Sequence, residues 1–386
     1  MDLSIAICAY NAERRLKRVF EALARQDAPA SIEWEVLLVD NASSDHTAST
    51  ARDLAKSLSL PVRILHETEQ GLTNARRCGA MHAMGEYLSF VDDDNIVEPT
   101  WVQSCVEFLR QHPRAGVVGG KIYPEFEDPA SVPANFEEMA PLLAIRDSGP
   151  CDIQLHPPEH DAPCGASLTG PTHLLRTILT RLPCFLTDRV GNSLSSGGDT
   201  ELAFLALRLG YEAWYTPSLR LAHVIPALRL TPDYLHRLWL GIIETRAWLD
   251  YLCGLEPRYS RGHYFVKCLR EYARALKFDV LTWLRPEQER PHRAWADESA
   301  ALARSYWALA RHYPHTRMEA ALRDLLAPAI DDTSLSVQSE SAPTRSRARP
   351  NPPETPAPLP DHRSETPPPP VVPPYPMPAE EAPARW

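Results

Sequence analysis

Three features that often indicate the class of a protein are missing from this sequence: paired cysteines, an excess of positive charge and a long apolar run. The eight cysteines of the 386-residue chain include no Cys-x-x-Cys pair, which argues against a zinc site. Several lie in apolar runs, which is typical of free core cysteines in a reduced cytoplasmic compartment. The formal net charge of −10 argues against a general nucleic-acid-binding protein. No apolar run reaches about 18 residues and the N-terminus has no signal-peptide pattern, so no membrane span is predicted.

The most informative segment that is present is the acidic run Asp92–Asp94. It follows Tyr87–Val91, an apolar segment typical of a buried strand. Three adjacent carboxylates repel one another unless a cation lies between them, and their hard oxygens suit Mg²⁺ or Mn²⁺, which favour a diphosphate. The alternative is an acidic turn in which Asp94 or Asn95 caps a helix with Pro99 in its first turn. The run alone leaves both interpretations open.

Strand and helix patterns alternate from residue 3 to about residue 120. The predicted strands are Leu3–Ala9, Glu35–Val39, Val62–Leu65 and Tyr87–Val91, with another opening at Val117, and the predicted helices are Ala12–Gln26, Thr47–Leu58, Gly71–Met84 and Trp101–Gln111. This alternation predicts an α/β fold with a mostly parallel, Rossmann-like sheet that has helices on both faces. Ligands bind at the carboxyl ends of such strands, so Asp40 and Asp92–Asp94 are expected in one crevice. Their convergence favours the metal interpretation.

The rest of the chain divides by composition. Residues 121–162 are rich in Pro, Glu and Asp and predict a loop or lid, whereas residues 232–254, 262–284 and 292–326 have the pattern of amphipathic helices. Residues 350–386 hold 15 of the 38 prolines, which predicts a disordered tail of polyproline II character from about Asp331. The tail is either a ligand for a proline-binding partner or unconstrained. The predicted domains are residues 1–226, a helical extension over 227–330 and the tail over 331–386.

Four further motifs accompany the acidic run along the chain. They are Cys8-Ala9-Tyr10-Asn11, the segment Val39–Thr47, the segment Gly71–Gly79, and Gly197-Gly198-Asp199-Thr200-Glu201-Leu202. With these motifs, residues 3–226 resemble the family 2 glycosyltransferases, which have the GT-A fold. The resemblance implies that residues 1–226 form a catalytic domain of hexosyltransferase type. Such a domain transfers a sugar from a nucleoside-diphosphate donor to a hydroxyl acceptor, with a divalent metal and with inversion at the anomeric carbon.

The resemblance also implies a role for each matching residue. The catalytic base would be Asp199, and Mn²⁺ or Mg²⁺ would be bound by Asp94, with Asp92 and His223 as further ligands. The nucleotide-sugar would be bound by Ala9, Tyr10, Asn11, Asp40, Arg76, Asp92 and Asp93. Inversion needs the base and the leaving group on opposite faces of the sugar, which fits a base and a metal ligand on separate segments.

Some of these residues also have simpler interpretations. Asp199 is a suitable N-cap for a helix over Thr200–Leu209, and the two roles are compatible. His223, near the end of an apolar run, is equally suited to a structural role. Arg77 is an alternative to Arg76 as the phosphate ligand.

Two positions depart from the family pattern. Asn41 stands where the family often has an acidic residue, and Gly198 stands where it often has one before the base, which leaves Glu201 as a second candidate base. These departures favour an alternative function, a catalytically weakened scaffold that acts through its tail and C-terminal helices. A sugar nucleotidyltransferase is a further alternative, but Tyr10–Glu13 lacks the glycines that hold a triphosphate. The Gln-x-x-Arg-Trp motif of processive synthases is absent, so one sugar is expected per encounter.

The expected partners are a nucleotide-sugar donor and a glycan or lipid-linked acceptor of a cell-surface or exported polysaccharide, and no nucleic acid. Aromatic and basic residues are mixed in His263–Lys267 and in Trp283–Arg285, a pattern typical of a helix at a membrane surface. The alternative is packing of these helices against the catalytic domain. The expected location is cytoplasmic, with peripheral association at the inner face of the membrane.

Overall fold

Strands and helices alternate through the N-terminal part of the computed structural model, which describes residues 1–157, 162–186, 188–190, 193–254, 260–285, 289–312 and 315–326. The strands are β1 (Leu3–Ala9), β2 (Trp34–Asn41), β3 (Val62–Glu67), β4 (Tyr87–Asp92), β5 (Asn95–Val97), β6 (Ala115–Phe126), β7 (Ile153–Leu155), β8 (Thr169–Pro171) and β9 (Glu212–Ile225). The helices are α1 (Leu16–Ala24), α2 (Thr47–Ser57), α3 (Leu72–His82), α4 (Trp101–Gln111), α5 (Phe136–Met139), α6 (Thr172–Arg181), α7 (Gly198–Arg208), α8 (Pro232–Leu252), α9 (Arg261–Leu284), α10 (Glu289–His312) and α11 (His315–Leu326).

The strands form one mixed sheet in the order β3-β2-β1-β4-β8-β6-β9-β5, with β7 paired to β9. Strands β3, β2, β1 and β4 are parallel, and so are β6 and β9, whereas β8 runs antiparallel to both of its neighbours. Most of the paired residues of the sheet therefore belong to parallel strand pairs. The predicted α/β fold with flanking helices and a helical C-terminal segment is confirmed.

Helices cover both faces of the sheet, which explains why its central strands are apolar throughout. In β1, Leu3, Ile5 and Ile7 belong to the core under α1 and α4, whereas Ala6 belongs to the core on the other face, because successive side chains of a strand alternate. A Cβ at Gly79 of α3 would lie 3.1 Å from the Ala6 Cβ. This helix, which carries Arg76, therefore packs closely on the sheet.

The acidic run ends a strand instead of capping a helix. β4 ends at Asp92, β5 begins at Asn95, and α4 begins only at Trp101. The helix-cap interpretation of the run is therefore wrong. β5 pairs antiparallel with β9, so that Asn95 lies opposite His223. This pairing brings a distant histidine beside the run.

Helix α1 begins at Leu16, later than the predicted Ala12. The Ala12 amide donates to Thr47 Oγ1 at 2.8 Å, and the Glu13 amide donates to the Asp45 carboxylate at 3.2 Å. These hydrogen bonds join the loop after β1 to the loop after β2. They give the amides partners outside a helix, so this segment connects the two loops.

The prediction of a loop over residues 121–162 is wrong for the first residues of that range. Lys121–Phe126 continue β6, paired in parallel with Arg220–Ile225 of β9. The proline and acidic content of this segment is typical of loops, but pairing with a distant strand overrides local preference. Short elements follow, among them α5 and β7.

The C-terminal region is helical as predicted, although the predicted helix over 292–326 is divided into α10 and α11. Helix α8 contacts α7 through Trp248 Nε1, which donates to Glu201 at 2.6 Å. None of the helices in the described ranges combines the length and the apolar composition that a membrane span requires. The predicted tail, residues 331–386, lies outside the described residues.

Candidate functional site

A cavity of about 430 Å³ opens at the carboxyl ends of β1 and β4. Parallel pairing places Cys8 level with Asp92 and Ala9 level with Asp40, so the loops after these strands meet at one edge of the sheet. Eight of the ten predicted site residues line the cavity: Ala9, Tyr10, Arg76, Asp92, Asp93, Asp94, Asp199 and His223. The fold thus brings side chains from distant segments to one place.

Asn11 and Asp40 are not among the described residues that line this cavity. The Asn11 Oδ1 atom accepts from the Ser44 amide at 2.8 Å, and its φ of 49° is a left-handed conformation that asparagine tolerates. One Asp40 oxygen accepts from the Ser43 amide at 3.2 Å, and the other lies 3.3 Å from His66 Nδ1. Both side chains brace the loops at the rim, and their contacts with a nucleotide remain predictions.

Asn41, a departure from the family pattern, has a structural reason. Its Oδ1 accepts from the Gly71 amide at 2.8 Å, and its Nδ2 donates to the Glu69 carbonyl at 2.7 Å. A carboxylate can accept the first hydrogen bond but cannot donate the second. Gly71 has a φ of 135°, which favours glycine. Asn41 therefore fixes the turn from which α3 starts.

The first two aspartates of the acidic run have different environments. Asp93 is paired with Arg15, whose Nε and Nη2 atoms lie 3.0 and 2.8 Å from its two oxygens. Burial nevertheless raises the pKa of Asp93 to about 6. Burial and the neighbouring charge of Asp94 also raise the pKa of Asp92. The described lining of the cavity holds five aspartates and five arginines, so the two signs of charge balance there.

Asp94 and His223, two of the predicted metal ligands, lie beside each other and share a contact with Arg229. Asp94 Oδ2 lies 3.6 Å from His223 Nε2, and Arg229 Nη1 lies 2.9 Å from that oxygen and 3.0 Å from that nitrogen. His223 Nδ1 lies 2.9 Å from the Leu143 carbonyl oxygen, to which it donates, so Nε2 is left to act as an acceptor. Burial opposes the ionisation of Asp94, but the positive charges around it, among them Arg229, more than offset it and hold its pKa well below the usual range.

These two donors fit a divalent cation that phosphates also bind. Mg²⁺ usually takes one or two carboxylates and completes its coordination with substrate phosphates and water. Among the residues that the structure describes, no group of three or more His, Cys, Asp or Glu side chains is arranged to hold a metal ion. Asp94 and His223 thus offer one carboxylate and one imidazole donor, and their role as metal ligands remains a prediction.

Arg76 lies in a second, buried charged group. Its Nη1 donates to Asp188 Oδ2 at 2.9 Å, and both side chains are 5% exposed. Burial alone would lower the pKa of Arg76, but Asp188, Asp199 and Asp92 more than offset it and raise that pKa. Asp188 Oδ1 also accepts from the Gly198 amide at 2.6 Å. Asp188 therefore joins Arg76 to the first turn of α7.

Two glycines make room for this charged group. A Cβ at Gly198 would lie 2.2 Å from Asp188 Oδ2, so the Asp188 carboxylate fills the space that a side chain at 198 would need. A Cβ at Gly165 would lie 2.4 Å from Arg76 Nη2 and 3.1 Å from Asp199 Oδ2. The Gly165 amide donates to that Asp199 oxygen at 2.7 Å. The family often has an acidic residue at position 198, and here the Asp188 carboxylate occupies the space next to that position instead.

Glu201, the second candidate base, is buried away from the described lining of the cavity. Its Oε1 accepts from the Phe185 amide at 2.9 Å and from Trp248 Nε1 at 2.6 Å, and its Oε2 accepts from the Leu186 amide at 3.1 Å. Burial raises its pKa to about 7. This geometry indicates a structural role and favours Asp199 as the base.

Sequence reasoning missed Arg15, Asp188 and Arg229. Arg15 lies in a segment that was predicted to be helical, and the other two belong to no motif. Their partners are distant, since Arg15 and Asp93 are 78 positions apart and Arg76 and Asp188 are 112 apart. The sequence around one residue does not indicate an ion-pair partner that lies so far along the chain.

The segment that builds the first half of this site matches a known family. Residues 4–158 match the family model described as glycosyl transferase family 2. The chain therefore carries a family 2 glycosyltransferase domain, as the resemblance implied. Asp94 and Arg76 lie inside the matched residues, whereas Asp199 and His223 lie beyond them.

Curated relatives match the same part of the chain. Poly(ribitol-phosphate) beta-N-acetylglucosaminyltransferase TarS from Staphylococcus aureus (strain Mu50 / ATCC 700699) is 30% identical over 112 residues, which are 29% of this chain and 19% of TarS. The uncharacterized glycosyltransferase EpsJ from Bacillus subtilis is 30% identical over 126 residues, 33% of this chain and 35% of EpsJ. The succinoglycan biosynthesis protein ExoM from Rhizobium meliloti is 24% identical over 119 residues, 31% of this chain and 38% of ExoM. The chain spans less than half the length of each of these relatives.

Two solved structures align with most of the chain. The mannosyltransferase PcManGT from Pyrobaculum calidifontis, in complex with GDP-Man and Mn²⁺, aligns with 83% of this chain and 80% of its own, at a TM-score of 0.47 and 17% identity. Residues 1–349 of S. aureus TarS, in complex with UDP, align with 80% of this chain and 91% of their own, at a TM-score of 0.43 and 18% identity.

Proposed function

We propose that this protein is an inverting, non-processive glycosyltransferase that uses a nucleoside-diphosphate sugar and a divalent cation. The observation that carries the proposal is the single cavity lined by Asp94, His223, Arg76 and Asp199. The first three supply a cation site and a guanidinium for a diphosphate, and Asp199 supplies a carboxylate for the acceptor hydroxyl. Sugar transfer from such a donor needs stabilisation of the leaving group and removal of a proton.

The leaving diphosphate develops negative charge during the reaction. Mn²⁺ or Mg²⁺ held by Asp94 and His223, with Asp92 nearby, would neutralise part of that charge. Arg76 remains protonated at neutral pH, and its ion pair with Asp188 fixes the guanidinium at the cavity wall. Donors that are fixed in advance stabilise charge without reorganising during the reaction.

Asp199 is the proposed base that takes the proton of the acceptor hydroxyl. The Gly165 amide donates to its Oδ2 at 2.7 Å, and the Thr200 amide donates to its Oδ1 at 2.8 Å, so the carboxylate is held in one orientation. Each carboxylate oxygen has a second lone pair for the acceptor. Asp199 and Asp94 belong to different segments, which suits attack from the face opposite the leaving group and therefore inversion.

The nucleotide is proposed to lie against Ala9 and the half-exposed ring of Tyr10, which offers a surface for stacking. Asp93 acts through Arg15, with which it is already paired. Asn11 and Asp40 are proposed to contact the nucleotide from the rim, where they now hold the loops.

We further propose a glycan or lipid-linked saccharide of an exported polysaccharide as the acceptor, on the cytoplasmic side of the membrane. The names of two relatives support this class of acceptor: a poly(ribitol-phosphate) beta-N-acetylglucosaminyltransferase and a succinoglycan biosynthesis protein. The absence of a Gln-x-x-Arg-Trp motif supports transfer of one sugar per encounter.

A panel of UDP-, GDP- and dTDP-sugars, incubated with Mn²⁺, with Mg²⁺ or with EDTA, tests the proposal. Release of nucleoside diphosphate that depends on the metal is the expected result, and it needs no knowledge of the acceptor. Nucleotide binding without any turnover would instead support the alternative of a catalytically weakened scaffold. Asn41 and Gly198 no longer favour that alternative, because the structure gives each residue a structural role. Pyrophosphate release from a nucleoside triphosphate and a sugar phosphate would support the nucleotidyltransferase.

Arg229 is expected to compete with the cation for Asp94 and His223. Its guanidinium contacts both donor atoms, at 2.9 and 3.0 Å, so a metal ion can bind them only when Arg229 moves away. Arg229→Gln is expected to tighten the binding of Mn²⁺ without nucleotide roughly tenfold, about 1.4 kcal/mol. Electron paramagnetic resonance of unbound Mn²⁺ measures this affinity independently of activity. Arg52→Gln on the exposed face of α2 is the control, and equal or weaker Mn²⁺ binding by Arg229→Gln would refute the competition.

A further inference from the structure

The solvent side of α9 carries a continuous apolar stripe that the proposed reaction does not use. Its members recur every three or four positions and so lie on one side of the helix: Phe265, Leu269, Tyr272, Leu276, Val280 and Trp283. All are exposed, Leu276 by 64% and Trp283 by 81%. Single exposed apolar side chains are ordinary, but a row of them along a helix of 24 residues marks an interaction surface.

A separate side of α9 already has its partner within the protein. Tyr264, Cys268 and Ala275 are buried there. Helix α10 lies alongside, with the Trp307 ring 6.0 Å from the ring of Phe265 and the Trp295 ring 5.2 Å from the ring of Phe278. Trp295 and Trp307 are themselves exposed, and Trp307 extends the apolar surface beside Phe265. The stripe is therefore a second apolar side of α9 and not the side that the fold buries.

Positive charge forms a separate row on α9, on the side that lies between the stripe and the buried Glu271. Lys267, Arg270, Arg274 and Lys277 recur at the same spacing of three or four positions. The buried Glu271 lies 3.4 Å from each of the two arginines. With five basic and two acidic residues, α9 has a net charge of +3 in a chain whose net charge is −10. The helix is thus positively charged within a chain that is negative overall.

We propose that this face of α9 binds the surface of an anionic lipid bilayer, with the helix lying in the plane of the interface. Apolar side chains enter the boundary between headgroups and acyl chains, tryptophan and tyrosine favour that boundary, and basic residues attract anionic headgroups. A second copy of the chain would present the same positive charge to α9, whereas an anionic bilayer presents the opposite charge. This inference goes beyond the proposed reaction and does not depend on it.

Vesicle flotation of the full chain tests the proposal. The probes are vesicles of phosphatidylcholine with one part in three of phosphatidylglycerol and vesicles of phosphatidylcholine alone. The expected result is flotation with the anionic vesicles at low salt, which weakens at high salt. Leu276→Glu and Trp283→Ser should each lower the partition coefficient about tenfold or more, because each removes apolar surface from the interface.

Met84→Glu is the matched control, since Met84 is a 58% exposed apolar residue that precedes β4, and it should float like the wild type. Circular dichroism checks that the variants fold. Absence of flotation at low salt, equal binding of Leu276→Glu, or equal binding to both vesicle types would overturn the proposal. A dimer seen by sedimentation that Leu276→Glu dissociates, without vesicle binding, would also overturn it, because a second copy would then cover the face.

Discussion

Replacing Asp199 by Asn is expected to lower the rate of sugar transfer about 10²–10⁴-fold, the usual contribution of a positioned general base. The amide keeps the size of the side chain, and its oxygen can still accept from the Gly165 amide, which now donates to Asp199 at 2.7 Å. It cannot take the proton of the acceptor hydroxyl. Donor affinity should change little, because the proposed diphosphate contacts come from other segments.

Single-turnover transfer and donor binding should be measured on the same preparation of Asp199→Asn. Asp53→Asn, at an exposed position of α2, is the control and should behave like the wild type. A transfer rate within a factor of about two of the wild type would exclude Asp199 as the base. A matching loss of donor affinity would assign Asp199 to donor binding instead.

Replacing Arg76 by Met is expected to destabilise the protein by about 3–5 kcal/mol, because it leaves a buried carboxylate without its cation. Asp188 is 4% exposed, and its Oδ2 accepts from Arg76 Nη1 at 2.9 Å. Methionine has a similar length but no charge, so the Asp188 carboxylate must either stay ionised in an apolar setting or take up a proton. Both outcomes cost free energy of folding.

Urea denaturation of the full chain measures this loss, with Arg52→Met at an exposed position of α2 as the control. A double-mutant cycle with Asp188→Asn separates the coupling energy of the Arg76–Asp188 ion pair from the other effects of each substitution. The double variant should be more stable than the sum of the two single losses predicts, since neither charge is then left alone. Additive losses would show that the two side chains are not coupled.

Local periodicity was enough to predict β1, β2 and β4, the strands at whose ends Ala9, Asp40 and the acidic run lie. Leu3–Ala9 is predicted and observed as a strand, because a run of apolar residues bounded by polar ones has few other stable arrangements in this setting. The rule that ligands bind at the carboxyl ends of parallel strands then predicted Asp40 and Asp92–Asp94 in one crevice, and Asp92–Asp94 do line the cavity. Asp40, at the end of the neighbouring strand, braces the rim instead, because the rule gives a strand end but not the direction of a side chain.

The residues that the sequence did not reveal are those defined by long-range pairing. Nothing local to Arg229 indicates that its guanidinium lies 2.9 Å from Asp94, and nothing near Asp188 indicates Arg76. The extension of β6 to Phe126 depends in the same way on pairing with β9. Gly198 was interpreted as the loss of an acidic residue that the family often has before the base. In the structure, the small residue there leaves space for the Asp188 carboxylate.

Calorimetric titration of UDP and GDP into the full chain tests the central claim most directly, that Asp94 and His223 bind a cation together with a nucleoside diphosphate. With Mn²⁺ present, we predict binding of one of the two nucleotides to the wild type, at least about tenfold weaker binding to Asp94→Asn, and a similar loss when EDTA replaces Mn²⁺. Nucleotide binding that is unchanged by EDTA and by Asp94→Asn would contradict the claim.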